Sequence, residues 1–372
     1  MIYADNAATT KLDATAYAAM REVLEQEYAN ASQPYSFSRT AKKLLKQARE
    51  IIAKCIGALP EEIYFTSGGT ESDNWAVKGV MQYGDGRAII TDEIEHHAVL
   101  RACEDTERLG YPVAYLSVDS LGIVQPKALE SMISDNTKLV SVMLANNEIG
   151  TIEPVAELCE IAHRHGALFH TDAVQAVGHI HIDVKELGVD MLSASGHKFN
   201  GPKGVGFLYI KKGTKLNSLI SGGGQERGMR AGTENVAAIY AMAVALEQNC
   251  AALDENIEKL RKMEGLFVDK LSKSGVDFIR NGAQKHLSGL VNISIKGASG
   301  EMLLHRLDLK KIYISTGSAC DSVNTRVSHV IEAIGVPKEY AEGTIRVSFG
   351  KGNTLDEAVR TAEAIIEILG GK

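Results

Sequence analysis

The feature that most constrains the fold of this chain is an alternation of short apolar runs with amphipathic segments between about residues 60 and 210. Short apolar runs are typical of buried strands, whereas the stretches between them have helical spacing. Strands that alternate with helices along a chain form a largely parallel sheet covered by helices. The predicted strands are 63–66, 88–91, 113–116, 139–144, 167–171, 191–194 and 205–210.

The rest of the chain predicts a bridge and further short elements. The run 205–210 follows too closely on the preceding strand for a helical crossover, so we predict that it pairs antiparallel. A long helical segment at about 235–271 comes next, and its charged second half leads away from the sheet. The C-terminal part then mixes strands at 290–295 and 345–348 with helices at 327–334 and 355–369.

These patterns predict an α/β protein with two domains. We expect a large domain at 13–250, built on a seven-stranded, mostly parallel sheet. A smaller α+β domain would combine 1–12 with 251–372.

Length, charge and cysteine usage exclude several classes of protein. The 372 residues exceed one small core, and the net charge of −7 offers no footprint for nucleic acid or for an anionic membrane. We find neither an apolar stretch long enough to cross a bilayer nor a signal-peptide pattern at the N-terminus. Five scattered cysteines without a CxxC pair suit a reducing compartment, so we expect a cytoplasmic protein.

Polar residues follow several predicted strands, at the edge of the sheet where ligands bind in open α/β folds. The run GGTES (68–72) joins the first of these strands to a helix. Such a turn either cradles a phosphate with its backbone amides or is an ordinary capped helix start. The other strand ends carry His96, Asn147, Asp172 and the run SGHK (195–198).

Asp172 and Lys198 place a carboxylate and an amine at the ends of neighbouring predicted strands. Enzymes that use pyridoxal phosphate (PLP) need such a pair, because the lysine forms a Schiff base with the cofactor and the carboxylate keeps its ring nitrogen protonated. A structural ion pair or two solvated loop residues are the alternatives. The surrounding run SGHKFNGPKG (195–204) favours the cofactor.

Histidine, cysteine and arginine residues limit the reactions that such a site could carry out. No set of Cys, His and Asp has the spacing of a closed zinc site, so no metal is expected. His96 is instead suited to stacking on a planar cofactor or to acting as a proton shuttle. Cys320 lies in a small, polar stretch where a thiol can be exposed and ionised, although a chance cysteine in a turn is the alternative. Arg346 interrupts an apolar strand, where it either pairs structurally or binds a carboxylate.

Together these motifs resemble the NifS/IscS-type cysteine desulfurases, which are class V aminotransferases of PLP fold type I. One departure is that the family usually carries a Pro-Ser-Ser-x-His-like run after the first helix, whereas residues 30–37 read NASQPYSF here. We expect this segment to border the site entrance. The ordered set that carries the resemblance is YADNAATT (3–10), TSGGTESDN (66–74), EHHAV (95–99), NNEIGT (146–151), TDAVQ (171–175), SGHKFNGPKG (195–204), GGGQE (222–226), RAGTEN (230–235) and GSAC (317–320).

The resemblance implies pyridoxal 5'-phosphate as the cofactor. Lys198 would carry it, Asp172 would pair with its ring nitrogen, His96 would stack on the ring, and Gln175 would bind the ring hydroxyl. Thr233 would reach the phosphate held by the other subunit, which implies a homodimer with shared sites. The implied cofactor-binding residues are Gly69, Thr70, His96, Asn147, Asp172, Gln175, Ser195, His197, Lys198 and Thr233.

The resemblance also implies an activity, the conversion of L-cysteine to L-alanine. Asn147 and Arg346 would hold the substrate carboxylate, Lys198 and His96 would act in catalysis, and Cys320 would take the sulfur as a persulfide. Acceptor proteins such as an iron–sulfur scaffold would then receive it. Selenocysteine lysis and transamination remain alternatives within the same fold. A non-catalytic scaffold is a third, and the presence of Lys198, Asp172 and Cys320 argues against it.

Overall fold

The computed structural model describes residues 1–81, 86–316 and 327–370, and Cys320 lies outside these ranges. Strands are numbered in chain order. They are β1 Ile2–Tyr3, β2 Ile63–Thr66, β3 Ala88–Asp92, β4 Val113–Leu116, β5 Thr137–Ser141, β6 Leu168–Asp172, β7 Met191–Ser195, β8 Gly206–Ile210, β9 Phe278–Asn281, β10 Leu290–Ile295, β11 Ile312–Tyr313 and β12 Thr344–Ser348.

Helices alternate with these strands through the first two thirds of the chain, as the sequence predicts. The α-helices are α1 Ala14–Gln26, α2 Arg39–Ile56, α3 Gly69–Gly79, α4 His97–Arg108, α5 Pro126–Met132, α6 Val155–Arg164, α7 Val184–Leu187, α8 Val236–Ala251, α9 Leu253–Ser272, α10 Gly300–Leu309, α11 His329–Ala333, α12 Lys338–Ala341 and α13 Leu355–Ile368.

A seven-stranded sheet in the spatial order β2-β8-β7-β6-β5-β3-β4 forms the centre of the fold. All neighbouring strands pair parallel except β8, which is antiparallel to both β2 and β7. The predicted α/β fold and the antiparallel strand are therefore confirmed. Because β8 alone is reversed, β2 again runs parallel to β7, and the carboxyl ends of six strands meet at one edge.

The period of two along the buried strands divides their side chains between two apolar layers. Ile89, Leu139 and Met191 pack against helices α3 and α4 on one face. Their neighbours Ile90 and Val140 join the layer formed with α2, α6 and α8 on the other face. Covering both faces buries the sheet and leaves its carboxyl edge as the place for a ligand.

The predicted strand 139–144 is wrong at both ends, since β5 spans Thr137–Ser141. The sequence stays apolar beyond Ser141 because Val142 and Leu144 are buried, although the regular strand has ended. Their amides still donate to the carbonyls of His170 and Asp172, at 3.2 and 2.8 Å, but the alternating pattern is lost. The other predicted strand boundaries agree with the structure to within one residue.

The predicted helical segment at 235–271 consists of two helices, because Ala252 separates α8 from α9 and the two axes meet at 71°. Helix α8 is apolar on most sides and lies in the core of the sheet domain, whereas α9 is amphipathic and packs elsewhere. Among the described residues no single helix has the length and apolar composition to span a membrane. This bent pair meets that test jointly, by length and composition alone.

A second apolar core lies beside the one that surrounds the large sheet. It is formed by the antiparallel sheet β12-β10-β9 together with α9, α10 and α13. The N-terminal strand β1 joins it by pairing with β11, and Ile2 and Ala4 are buried there. The next residues pass from this core to the edge of the large sheet, so the first ten residues connect the two.

The open edge of strand β2 is closed by side chains instead of an eighth strand. The carbonyl of Ile63 accepts hydrogen bonds from Arg49 and Arg227, at 2.6 and 2.9 Å. The buried carboxylate of Glu226 pairs with Arg49 and accepts from the amide of Phe65 at 2.9 Å. An unpaired strand edge favours pairing with another chain, and these contacts satisfy the Ile63 carbonyl and the Phe65 amide at this edge.

Candidate active site

A cavity of about 480 Å³ lies at the carboxyl edge of the large sheet, where the ends of several strands meet. Side chains from the sheet domain form most of its wall, and β12 of the second core contributes from the other side. Ten residues that the sequence and the resemblance single out line this cavity: Gly69, Thr70, His96, Asn147, Asp172, Gln175, Ser195, His197, Lys198 and Arg346.

Lys198 ends the short helical turn that follows β7, and the N-terminal segment holds its amine. Its Nζ donates to the carbonyl oxygens of Ala7 and Ala8, at 2.6 and 3.0 Å. Gln175 donates to the same Ala7 carbonyl at 2.9 Å. Backbone acceptors therefore orient the ammonium, and no motif in the sequence predicts these contacts.

Asp172 is the last residue of β6 and lies beside a second buried carboxyl group, that of Asp73. Its Oδ1 accepts from the Val174 amide at 2.8 Å. Burial raises the pKa of Asp172 to about 6, against the opposing effects of that amide and of Lys198. Burial, and then the charge of Asp172, raise the pKa of Asp73 well above its usual range. Two carboxyls this close do not both ionise, so a proton stays with the pair.

His96, Asp73 and Asp172 form the one group of possible metal ligands among the described residues, with ligand atoms within 4.8 Å of one another. A metal ion requires its ligands to be deprotonated. The raised pKa values of Asp73 and Asp172 disfavour the deprotonation of both carboxyls that a metal ion would require. The protonated ring nitrogen of PLP would need only one carboxylate here. The donor set thus fits a cationic ring N–H better than a metal.

His96 presents a neutral imidazole to the cavity. It caps helix α4, where its Nδ1 accepts from the Ala98 amide at 3.1 Å. Burial and the nearby charge of Lys198 lower its pKa to about 4. Near pH 7 the ring is therefore neutral, and because Nδ1 is an acceptor, Nε2 carries the proton.

The turn from β2 into α3 forms a cradle at one end of the cavity. Helix α3 begins at Gly69, and its N-cap residue is Gly68, so the alternative of an ordinary side-chain-capped helix start is not observed. A Cβ at Gly69 would lie 2.6 Å from Val174 Cγ2, so a larger residue here would require Val174 to shift. Free amides at this helix start suit a phosphate.

Arg346 and Asn147 meet at the opposite end of the cavity. The Nη1 of Arg346 donates to the Asn147 carbonyl at 2.8 Å, and Nη2 donates to Asp5 Oδ1 at 2.9 Å. Arg346 is buried, and its Nε has no hydrogen-bond partner. A buried guanidinium with a donor left over is suited to a ligand carboxylate.

Some predicted residues are not among those that line this cavity. Thr233 is exposed and does not line it, and neither does any part of 30–37, which we expected at the entrance. Cys320 lies outside the described residues. Asp5 and Asp73 had no predicted role, although both stand in motifs that carry the resemblance.

His170 in β6 gives a prediction for the stability of the protein. It is wholly buried, with its ring nitrogens 2.9 Å from Ser141 Oγ and Ser193 Oγ. Burial lowers its pKa to about 3, whereas in the unfolded chain it titrates near pH 6.5. Between these values the unfolded state binds more protons, so this residue makes stability fall as the pH falls from 6.5.

We therefore expect the unfolding free energy to fall faster with decreasing pH in the parent protein than in His170→Asn. Between pH 6 and 4.5 the slopes should differ by about 1.4 kcal/mol per pH unit, the value for one proton. Urea unfolding at several pH values measures this, and His181→Asn, at a largely exposed histidine, should keep the parent slope. Parallel slopes for parent and His170→Asn would show that His170 is not the titrating group.

Comparison with known proteins agrees with this geometry. The model of the aminotransferase class-V family matches residues 2–360. The chain is 47% identical over 371 residues to the cysteine desulfurase IscS of Dictyoglomus turgidum, covering 99% of this chain and 94% of that protein. A solved structure described as a NifS-like protein superposes with a TM-score of 0.94 at 38% identity, covering 99% of each chain. Another, described as SspA in complex with cysteine, has a TM-score of 0.85 at 34% identity and covers 94% of this chain and 99% of that one.

These relatives also confirm the predicted fold type I architecture, since the NifS-like structure matches the chain over its whole length. This chain therefore belongs to the aminotransferase class-V family and, within it, to the NifS/IscS-type cysteine desulfurases.

Proposed function

We propose that this protein is a PLP-dependent cysteine desulfurase that converts L-cysteine to L-alanine and receives the sulfur on Cys320. One observation carries the proposal: a single cavity joins the amine of Lys198, the buried carboxylate of Asp172 and the guanidinium of Arg346. A relative solved with cysteine supports this amino acid as the substrate.

PLP fits the residues of the cavity. The cradle at Gly69 suits its phosphate, with Thr70, Ser195 and His197 alongside, and Asp172 suits its ring nitrogen. Lys198 would hold it covalently, Gln175 would contact its ring hydroxyl, and the neutral ring of His96 would stack on its face. When bound, PLP supplies the electron sink that weakens bonds to the substrate α-carbon.

The side chains around the substrate bind its carboxylate and transfer its α-proton. Arg346 and Asn147 orient the α-carboxylate, which fixes the α-carbon toward Lys198. The Nζ of Lys198, as a free amine, takes the α-proton, and the carbonyls of Ala7 and Ala8 stabilise the ammonium that results. His96 holds a proton on Nε2 beside the same reacting atoms.

Sulfur transfer is assigned to Cys320. Its thiolate attacks the substrate Sγ, so that the new S–S bond forms as the substrate Cβ–Sγ bond breaks, and alanine leaves after protonation. The residues that flank 317–326 are connected to the cavity, since His329 lines it and Ser315 pairs with the backbone of Arg346, which lines it too. The other four cysteines lie on helices, and burial raises the pKa of Cys103 and Cys159 to about 12, which keeps those two as thiols.

The remaining parts of the proposal concern assembly and partners. The exposed position of Thr233 suits contact with the phosphate of a second subunit, as in a homodimer with shared sites. The persulfide would pass to acceptor proteins such as an iron–sulfur scaffold, in the cytoplasm, where thiols persist. The two apolar cores support the proposed division into 13–250 and 1–12 with 251–372. Ala7, Leu287 and Leu290 nevertheless belong to the core of the large sheet, and Val330 packs with Ile94 across the boundary.

The experiment that tests the activity is a product balance. The holoenzyme is incubated with L-cysteine and a reducing thiol, with no 2-oxo acid present, and alanine and sulfide are measured. We expect equal amounts of the two. Alanine that forms only after a 2-oxo acid is added would show transamination instead. Turnover of L-selenocysteine but not of L-cysteine would assign the protein as a selenocysteine lyase.

A further inference from the structure

Asp5 forms an ion pair with the guanidinium that the proposed function assigns to the substrate carboxylate. Its Oδ1 accepts from Arg346 Nη2 at 2.9 Å, and its side chain is 18% exposed against 3% for Arg346. Strand β12 holds Asp5 next to Arg346, since the backbone of Asp5 bridges to Ser348, two residues beyond Arg346. The pair is therefore fixed by main chain on both sides.

The two members of this ion pair differ in their relation to the cavity. Arg346 lines the cavity, and Asp5 does not. Two of the three guanidinium nitrogens are anchored, Nη2 by Asp5 and Nη1 by the Asn147 carbonyl, while Nε is buried without a partner. Because Nη2 bears two hydrogens, it can serve Asp5 and a ligand oxygen together, and with Nε it forms a two-donor fork.

The same N-terminal segment directs the other functional cation. Two residues after Asp5, the carbonyls of Ala7 and Ala8 accept from Lys198. The amide of Ala7 is itself fixed by Ser348 Oγ at 2.9 Å. Residues 5–8 thus set the positions of both Arg346 and Lys198 relative to each other, across the boundary between the two apolar cores.

We propose that Asp5 is a positioning residue for substrate recognition, which holds the Arg346 guanidinium so that its remaining donors face the α-carboxylate. The inference rests on the proposed function, because it assumes that Arg346 binds that carboxylate. The contact acts through a hydrogen bond to Nη2, so an amide oxygen at the same place preserves it. A merely structural ion pair would affect folding without discriminating between ligands with and without a carboxylate.

The test uses two ligands that differ by the carboxylate alone. L-serine replaces the sulfur of the substrate by oxygen, and ethanolamine is its decarboxylated analogue. Titration calorimetry on the holoenzyme gives both dissociation constants for the parent, Asp5→Ala and Asp5→Asn. Asp13→Ala is the matched control, because Asp13 also pairs with a cation of the C-terminal part, Lys351, at 2.8 Å, but does not line the cavity.

We expect Asp5→Ala to weaken L-serine binding by roughly 10- to 100-fold, the scale of one hydrogen bond to a charged group, and to leave ethanolamine within about twofold. Asp5→Asn should bind both ligands nearly as the parent does, and Asp13→Ala likewise. For L-cysteine turnover, the KM of Asp5→Ala should rise with a smaller change in kcat.

Other outcomes overturn the inference in distinguishable ways. Unchanged L-serine affinity in Asp5→Ala, with a parent that prefers L-serine, would refute the role of Asp5 and leave that of Arg346 standing. Equal weakening of both ligands would show a structural role only. Loss of L-serine binding in Asp5→Asn as well would refute positioning through the hydrogen bond. A parent that binds both ligands equally would refute the assignment of Arg346 in the proposed function.

Discussion

Replacement of Lys198 by alanine should lower the formation of alanine from L-cysteine by roughly 10²- to 10⁴-fold, the range for lost proton transfer alone. The reason is that, among the described residues, Lys198 supplies the amine that the carbonyls of Ala7 and Ala8 direct. The variant should also lose the covalent bond to the cofactor. Borohydride reduction followed by peptide mapping should place the cofactor on Lys198 in the parent and nowhere in the variant.

Lys212→Ala is the control for this experiment, because its side chain is 74% exposed and pairs only at the surface, with Glu61. It should keep parent activity and labelling. A Lys198→Ala protein that desulfurates L-cysteine at the parent rate would refute the assignment of the whole site.

The second large effect is expected for Cys320→Ser. Sulfur release from L-cysteine should fall by roughly 10³-fold or more, as for loss of an attacking nucleophile. A hydroxyl is a far weaker nucleophile than a thiolate and cannot hold a persulfide. The absorbance of the bound cofactor should remain that of the parent, because the residues proposed to hold PLP are unchanged.

Cys55→Ala is the matched control, since this thiol lies half-buried on α2, away from the catalytic cavity. It should retain both the cofactor absorbance and the release of sulfur. Parent-like sulfur release by Cys320→Ser would instead mean that another group accepts the sulfur or that sulfide leaves directly.

The architecture of the sheet was predictable because strand and helix periods differ and alternate along the chain. Even the reversed β8 followed from the short connection before it. Two departures from the predicted elements share a cause: the sequence pattern continues where the regular structure is interrupted. Apolar residues run on past β5 to Leu144, and helical spacing runs through Ala252, where the backbone nevertheless turns by 71°.

The site was predictable as far as side chains at strand ends define it. Lys198, Asp172 and His96 stand there because the sheet brings the carboxyl ends of its strands to one edge. The contacts from the N-terminus were not predictable. Backbone carbonyls of Ala7 and Ala8, and a carboxylate that pairs with Arg346 across 341 residues, leave no local periodic pattern in a sequence.

Mass spectrometry of the holoenzyme after brief exposure to L-cysteine, without reductant and with alanine measured in parallel, tests the central claim most directly. We expect a gain of one sulfur atom on the peptide that contains Cys320, in an amount matched by alanine. Alanine without that adduct, or an adduct on one of the other four cysteines, would contradict the account.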